Sequence, residues 1–318
     1  MSSKRFLSLS LLSIGGLLAS VVGFNMYIDI YGLFRPAQGR VLLVSGEERV
    51  AKYLQSFRYI PDNFNGVLLG SSVSDNLDTH GLSNFSVYNA SINGGNVEDV
   101  KALAENIFRR TTFELTIICM HRSLTNDHAF RTGLMTSRQY WGALGSPQLM
   151  TAYLSRVASR FGATSYGYDG RGTLHFGTAA DLRGVQQRID AAVVGIQNGT
   201  TRVGNYHVDP VAFHDLQGVI GLARSHSRRL VVFYPPMPES ILAVSSKGLS
   251  RYRDAMNTLL DSDTVMLDFN LPEYKQFREN PNNFIDAVHL SQQGAGFVIS
   301  ELQKAVDTRF EQQISKRK

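Results

Sequence analysis

The chain has 318 residues, 43 % of them hydrophobic and 19 % charged, and a formal net charge of +5. That is an ordinary globular balance, long enough for one large domain or two small ones. The basic residues are scattered apart from the tail Lys316-Arg317-Lys318, and neither aromatic-basic interleaving nor zinc spacing occurs, so no nucleic-acid partner is expected. The excess suits an anionic polymer or an anionic membrane face. The single cysteine, Cys119, excludes an internal disulfide.

Residues 6–28, "FLSLSLLSIGGLLASVVGFNMYI", carry no charge, with Lys4 and Arg5 before them and Asp29 after. A helix of about 20 apolar residues spans a bilayer core. The basic N-terminal flank predicts a cytoplasmic N-terminus and an exported remainder, giving a single-pass anchor over residues 1–30. A cleaved signal peptide is the competing reading, although the stretch is long for one and no Ala-x-Ala site follows. A buried helix of a soluble protein would show a polar face, and this one has none. Residues 31–64 read as a connector with one short helix.

From residue 65 to 318 strands and helices alternate. Short runs rich in Val, Ile and Leu predict strands at 66–69, 86–89, 115–120, 230–234 and 265–268, and their lack of alternation suits burial on both faces. Helices are predicted at 97–109, 148–161, 211–226, 250–260 and 291–313. This order implies an α/β fold with a doubly wound, parallel, five-stranded sheet. Residues 124–209, rich in Gly, Arg, Tyr and Thr, break the pattern and read as an insertion with one good helix, lying over one end of the sheet.

Chemistry enters at "GVLLGSSVSDNL". The first strand stops on Gly70-Ser71-Ser72, where a serine is lifted above the carboxyl end of the sheet, the usual place for ligands in such folds. Alone, Gly-Ser-Ser is also a common turn composition. A serine nucleophile needs a base and the base an orienting acid. Among eight histidines, only His289 sits in an Asp-x-x-His arrangement, with Asp286, in "FIDAVHLSQQGAGF" before the last helix. An exposed Asp and a helix-entry His would look the same. After the second strand, "VYNASINGGNVED" offers Gly94 and Gly95, which allow a backbone N–H to approach an oxyanion, or simply a turn ahead of a helix capped by Asn96.

These three segments, in this order, resemble the SGNH (GDSL-type) hydrolase superfamily over residues 64–310. The resemblance implies a three-layer α/β sandwich of the flavodoxin-like kind. It also implies Ser72 as nucleophile, His289 as base and Asp286 as its orienter, with the N–H groups of Ser72 and Gly94 in the oxyanion hole. Gly-Ser-Ser in place of Gly-Asp-Ser, together with the anchor and "YGLF", is similar to the membrane-anchored alginate O-acetylation proteins and the D-alanyl transfer protein of teichoic acids. The third block departs from the family: "LTIICMHRSLTND" has His121, Arg122 or Ser123 where an Asn is expected, and Asn126 only later. One missing oxyanion donor costs about 2.7–4 kcal/mol of transition-state stabilisation. His121 and Arg122 are nearer the strand end than Asn126 and are the expected substitutes, Arg122 with the added effect of lowering the pKa of His289 by like-charge repulsion.

Other polar groups read more blandly. His207, Asp209, His214 and Asp215 are loosely spaced like metal ligands but suit a solvated loop, and neither metal nor cofactor is expected. "YPPMPES", 234–240, reads as a rigid loop lining the cleft. Tyr166, Tyr168, Arg171 and His175 suit sugar contacts or packing of the insertion itself. The expected function is that of an ester hydrolase or O-acyltransferase on a surface polysaccharide, outside the cytoplasmic membrane, with a membrane-bound O-acyltransferase as a candidate partner. The alternative is a weak or inactive member with a binding or assembly role: the missing Asn favours it, and the retained Ser72, Asp286 and His289 oppose it.

Overall fold

The computed structural model describes residues 3–126, 135–160, 166–176 and 184–315. In chain order the helices are α1 (Ser3–Ile28), α2 (Glu48–Ser56), α3 (Tyr59–Asn63), α4 (Val97–Phe108), α5 (Ser137–Gly142), α6 (Pro147–Arg160), α7 (Val185–Gln197), α8 (Pro210–Ser225), α9 (Glu239–Asn257), α10 (Lys275–Glu279) and α11 (Gln292–Ser315). The strands are β1 (Gly66–Leu69), β2 (Val87–Asn89), β3 (Leu115–Cys119), β4 (Tyr166–Tyr168), β5 (Leu174–Phe176), β6 (Leu230–Tyr234) and β7 (Val265–Asp268).

Five strands form one parallel sheet in the order β2-β1-β3-β6-β7. Every residue of β1, β2, β3 and β6 is buried, which is why those segments read as continuous apolar runs. Right-handed crossovers put the helices of β2→β3, β3→β6 and β6→β7 on one face and the β1→β2 connection on the other. The packing agrees: α4 lies against α8, while α11 meets the turn at 79–81. The chain leaves β1 in both directions along the sheet, so the strand order reverses between β1 and β3. The loops after those two strands therefore open at the switch point, where a crevice forms.

The fold class is as the sequence implies, with local differences. α9 begins at Glu239, straight after Pro238, and not near residue 250, so the loop expected at 234–240 is confined to residues 235–238. Ser245, Ser246 and Gly248 in its first half weaken the helical signal. The connector carries two short helices, and α2 is almost wholly buried. The insertion holds α5, α6, α7 and a β4–β5 hairpin, more than the single helix expected. The hairpin covers the sheet's edge, since the Asn89 N–H donates to the Arg171 carbonyl at 2.7 Å.

The exit from α1 is built tightly. Asp29 has φ +48° and is 2 % exposed. Its N–H closes the helix on Asn25 O, and its carboxylate accepts from the N–H groups of Leu33, Phe34 and Arg35 and from Arg40 Nη1 at 3.0 Å. Glycine usually takes such a left-handed position. Aspartate holds it here because its side chain satisfies the next turn's orphan donors.

Candidate active site

The Gly70–Ser72 turn is shaped by close approach. A Cβ on Gly70 would lie 2.2 Å from Ser74 Oγ and 2.9 Å from Cys119 Cβ, so only glycine fits. Pairing of β1 with β2 continues past the strand ends: the Ile92 N–H donates to Gly70 O, and Ser71 bridges Ile92. This brings the loop at 91–95 alongside Ser72. Gly94 sits in this loop with φ +62°, a left-handed conformation that glycine adopts at no steric cost.

Asp286 and His289 share one closed loop. Phe284 pairs antiparallel with Leu290, and the Ile285 N–H donates to His289 O at 2.9 Å. Asn76 Nδ2, four residues after Ser72, donates to Leu290 O at 2.9 Å and ties this loop to the Gly70–Ser72 turn. His289 Nε2 lies 3.0 Å from Ser72 Oγ, and His289 Nδ1 lies 2.7 Å from Asp286 Oδ2. Asp286 Oδ1 also accepts the N–H groups of Val288 and His289. Burial opposes ionisation of Asp286, but the hydrogen bonds and charge of His289 outweigh it and hold the carboxyl below its ordinary value. An ionised Asp286 keeps the proton on Nδ1 and leaves the Nε2 lone pair facing Ser72. The pair is half-exposed, with side-chain accessibilities of 28 % and 36 %.

His121 stands at the end of β3. Its Nδ1 accepts the Ser123 N–H, with Ser123 Oγ at 2.9 Å and Ser71 Oγ at 3.5 Å. Because a backbone N–H can only donate, the network assigns the imidazole proton to Nε2. Burial, then the charges of Arg122 and His289, push the His121 pKa well below its usual value, so the ring is a neutral N–H donor. Burial pushes the Arg122 pKa below its ordinary value, partly opposed by the phenols of Tyr206 and Tyr252. Asn126 closes the turn through its N–H to Arg122 O. Among the described residues, neither side chain hydrogen-bonds Ser72, His289 or Asp286. Burial pushes the Cys119 thiol to about 12, which leaves it no nucleophilic role.

Behind the serine lies a cluster with no signal in the sequence. Lys52 of α2 is fully buried, with its Nζ 2.7 Å from Asp75 Oδ1 and also donating to Ser91 O. The Tyr168 hydroxyl donates to Asp75 Oδ2 at 2.8 Å, and Lys52 lies over the Tyr168 ring. Burial pushes the Asp75 carboxyl up against the pull of Lys52. Also on α2, Arg49 pairs with Asp99 and donates to Asn93 O, and Glu48 accepts the Asn93 N–H. One connector helix thus holds both the turn after Ser72 and the loop that carries Gly94. Tyr168 therefore neither lines an open sugar site nor packs only its own insertion.

The other candidates fall elsewhere. Asp209 caps α8, Asp215 pairs with Lys101 at 2.6 Å, and His207 and His214 are exposed. Ligand atoms of Asp78, His80 and Asp169 lie within 4.8 Å of one another at the surface. They already serve one another and the hairpin: Asp78 accepts from His80, Asp169 Oδ1 accepts the N–H groups of Arg171 and Thr173, and His175 Nε2 meets Asp169 Oδ2 at 3.1 Å. The Tyr166 side chain lies outside the described residues.

No family model matches the chain, and no curated protein matches it. Among solved structures, one that is similar is a Streptococcus pneumonia protein provisionally described as a platelet activating factor. Identity is 11 % and the TM-score 0.38, with 77 % of this chain and 83 % of that one covered. An overlap that loose carries no argument about chemistry, which rests on the side chains above.

Proposed function

We propose that the chain is a serine-dependent esterase or O-acyltransferase of the SGNH type, held at the cytoplasmic membrane by α1 and acting outside it on an acylated surface polysaccharide. The observation that carries this reading is the unbroken relay from Ser72 Oγ through His289 to Asp286, at 3.0 and 2.7 Å. Binding or assembly alone needs no oriented imidazole.

In the proposed reaction Ser72 Oγ attacks an acyl carbonyl while His289 Nε2 takes its proton, and Asp286 steadies the imidazolium. The oxyanion receives the N–H groups of Ser72 and Gly94. The third donor is the Nε2–H of His121, in the place where the family carries an Asn. A donor that is neutral and fixed adds no charge to oppose the imidazolium. Collapse expels the sugar hydroxyl with the proton from His289 and leaves an acyl-Ser72. Water, or the hydroxyl of a second sugar, then attacks with His289 again as base. The shallow, half-exposed dyad suits a bulky polymer. A membrane-bound O-acyltransferase is the partner that would supply acyl groups if transfer is the outcome. Retention of α1 is supported by the burial of Asn25 and Asp29 in the domain, since cleavage nearby would strip out both.

A fluorophosphonate probe tests the reading. Wild-type protein should be labelled and Ser72→Ala should not. Equal labelling of the two, or none of either with the fold intact, removes the enzyme.

A further inference from the structure

Large exposed apolar side chains outside α1 concentrate on α5 and α6. Trp141 is 67 % exposed, Met150 60 %, Leu154 63 % and Val157 54 %. Positions 150, 154 and 157 form one stripe along α6, while Leu149 and Ala152 on its other side are buried in the core. The stripe is therefore not a core face that lost its partner. Contiguous apolar surface of this kind marks an interaction site.

Its neighbour identifies the occupant. The C-terminal half of α1 runs beside α5 and α6: Asn25 Nδ2 donates to Leu144 O at 2.7 Å, and Asn25 Oδ1 accepts from the Tyr153 hydroxyl at 3.0 Å. Phe24 meets Tyr153 edge to face. Between them opens an apolar cleft of about 850 Å³, lined by Leu18, Val21, Phe24, Trp141, Met150 and Leu149. The cleft is continuous with the apolar surface of α1, whose mean hydropathy reaches 2.0. The sequence from 137 to 160 contains Arg138, Arg156 and Arg160 and no acidic residue. A basic helical segment with Trp and aliphatic residues on its free side is the pattern of a helix lying in the lipid–water interface.

We propose that α5 and α6 lie in the outer leaflet's interface, with Trp141, Met150, Leu154 and Val157 among the acyl chains and a lipid chain in the cleft beside α1. This rests on the anchoring reading above. The membrane then touches the protein at two places far apart in sequence, and the domain stands on the bilayer instead of swinging above it.

Trp141 is the only tryptophan in the chain, so its native fluorescence reads the contact directly. The full chain is reconstituted in phosphatidylcholine–phosphatidylglycerol vesicles, with and without bromine on the acyl chains. Blue-shifted emission and a roughly twofold loss of intensity in the brominated vesicles are expected for a ring at interfacial depth. Leu154→Asp/Val157→Asp should lose most of that quenching while resisting alkaline carbonate extraction as the wild type does. Extraction of the wild type by carbonate overturns the anchor and this inference with it. Retention with an unquenched, water-like Trp141 overturns the inference alone. Emission that is blue-shifted yet unquenched shows a protein partner or a second copy on the stripe and also overturns it.

Discussion

Two acid–base pairs flank the same turn, and they differ in almost everything except their proximity to Ser72. In front, Asp286 and His289 meet at 2.7 Å with side chains 36 % and 28 % exposed. Behind, Asp75 and Lys52 meet at the same distance with side chains 1 % and 0 % exposed. The front pair contains an imidazole that can reach solvent and substrate. The rear pair contains a fully buried lysine held by Asp75, Ser91 O, the Tyr168 ring and, at 3.4 Å, Glu48. A half-exposed pair can move a proton repeatedly without disturbing the fold. A buried pair can only hold geometry, because uncoupling it leaves a charge in an apolar interior.

Substitutions sharpen that contrast. Asp286→Asn should cut the rate of probe labelling by up to about 10⁴-fold with little loss of stability, because an amide donating to Nδ1 puts the imidazole proton on Nε2, facing the serine. A loss below tenfold would mean that Asp286 does not set the tautomer. Lys52→Met should do the reverse, lowering unfolding free energy in urea by about 3–5 kcal/mol through the stranded Asp75. The double variant Lys52→Met/Asp75→Asn should recover part of it, and strict additivity would show that the two side chains are uncoupled. His121→Ala should slow labelling by about 10²–10³-fold, with partial recovery in His121→Asn. Equal rates in all three proteins would leave the oxyanion hole with backbone donors only. The smallest effect is on the acid limb of stability. The folded pKa of Asp286 is depressed, so its contribution is present above the ordinary carboxylate value and lost as pH falls through the folded one. The difference in melting temperature between wild type and Asp286→Asn should close below about pH 4. A difference that stays constant into acid argues against an ionised Asp286.

The same contrast explains what could be read from the sequence. β1, β3 and β6 were legible because burial on both faces leaves runs of Val, Ile and Leu; the expected burial on both faces does not hold for β7, an edge strand with Met266 exposed. Ser72, Asp286 and His289 were legible because each is a reactive residue type at the end of a strand or before a helix. Lys52 was not, since "ERVAKYLQS" looks like an ordinary amphipathic surface helix and nothing local says that its lysine points inward. Glu48 lies one turn away on the same helix, but its other partners come from residues 75, 91 and 168, and only the tertiary fold brings those to it. The β4–β5 hairpin was hidden by its glycines, which signal a loop, while the bond that fixes it runs to the distant Asn89. His121, Arg122 and Asn126 could not be told apart in the sequence, because their placement depends on a short turn in which Nδ1 of His121 takes the Ser123 N–H.

Asp29 gives the molecule a stiff ankle. With four donors converging on one carboxylate, the step from α1 into the domain has no slack, and α2 begins only a short stretch later. Under the proposed anchoring and function, Ser72 and His289 cannot sweep a volume of solution in search of ester groups, as they would on a loose leash. They work at a set height and heading above the bilayer, so a polymer must be threaded past them. A flexible graft at this point, such as Gly-Ser repeats inserted after residue 29, would widen the reach and weaken the alignment. If the proposed function holds, such an ankle suits a strand that emerges nearby better than one that drifts in from outside.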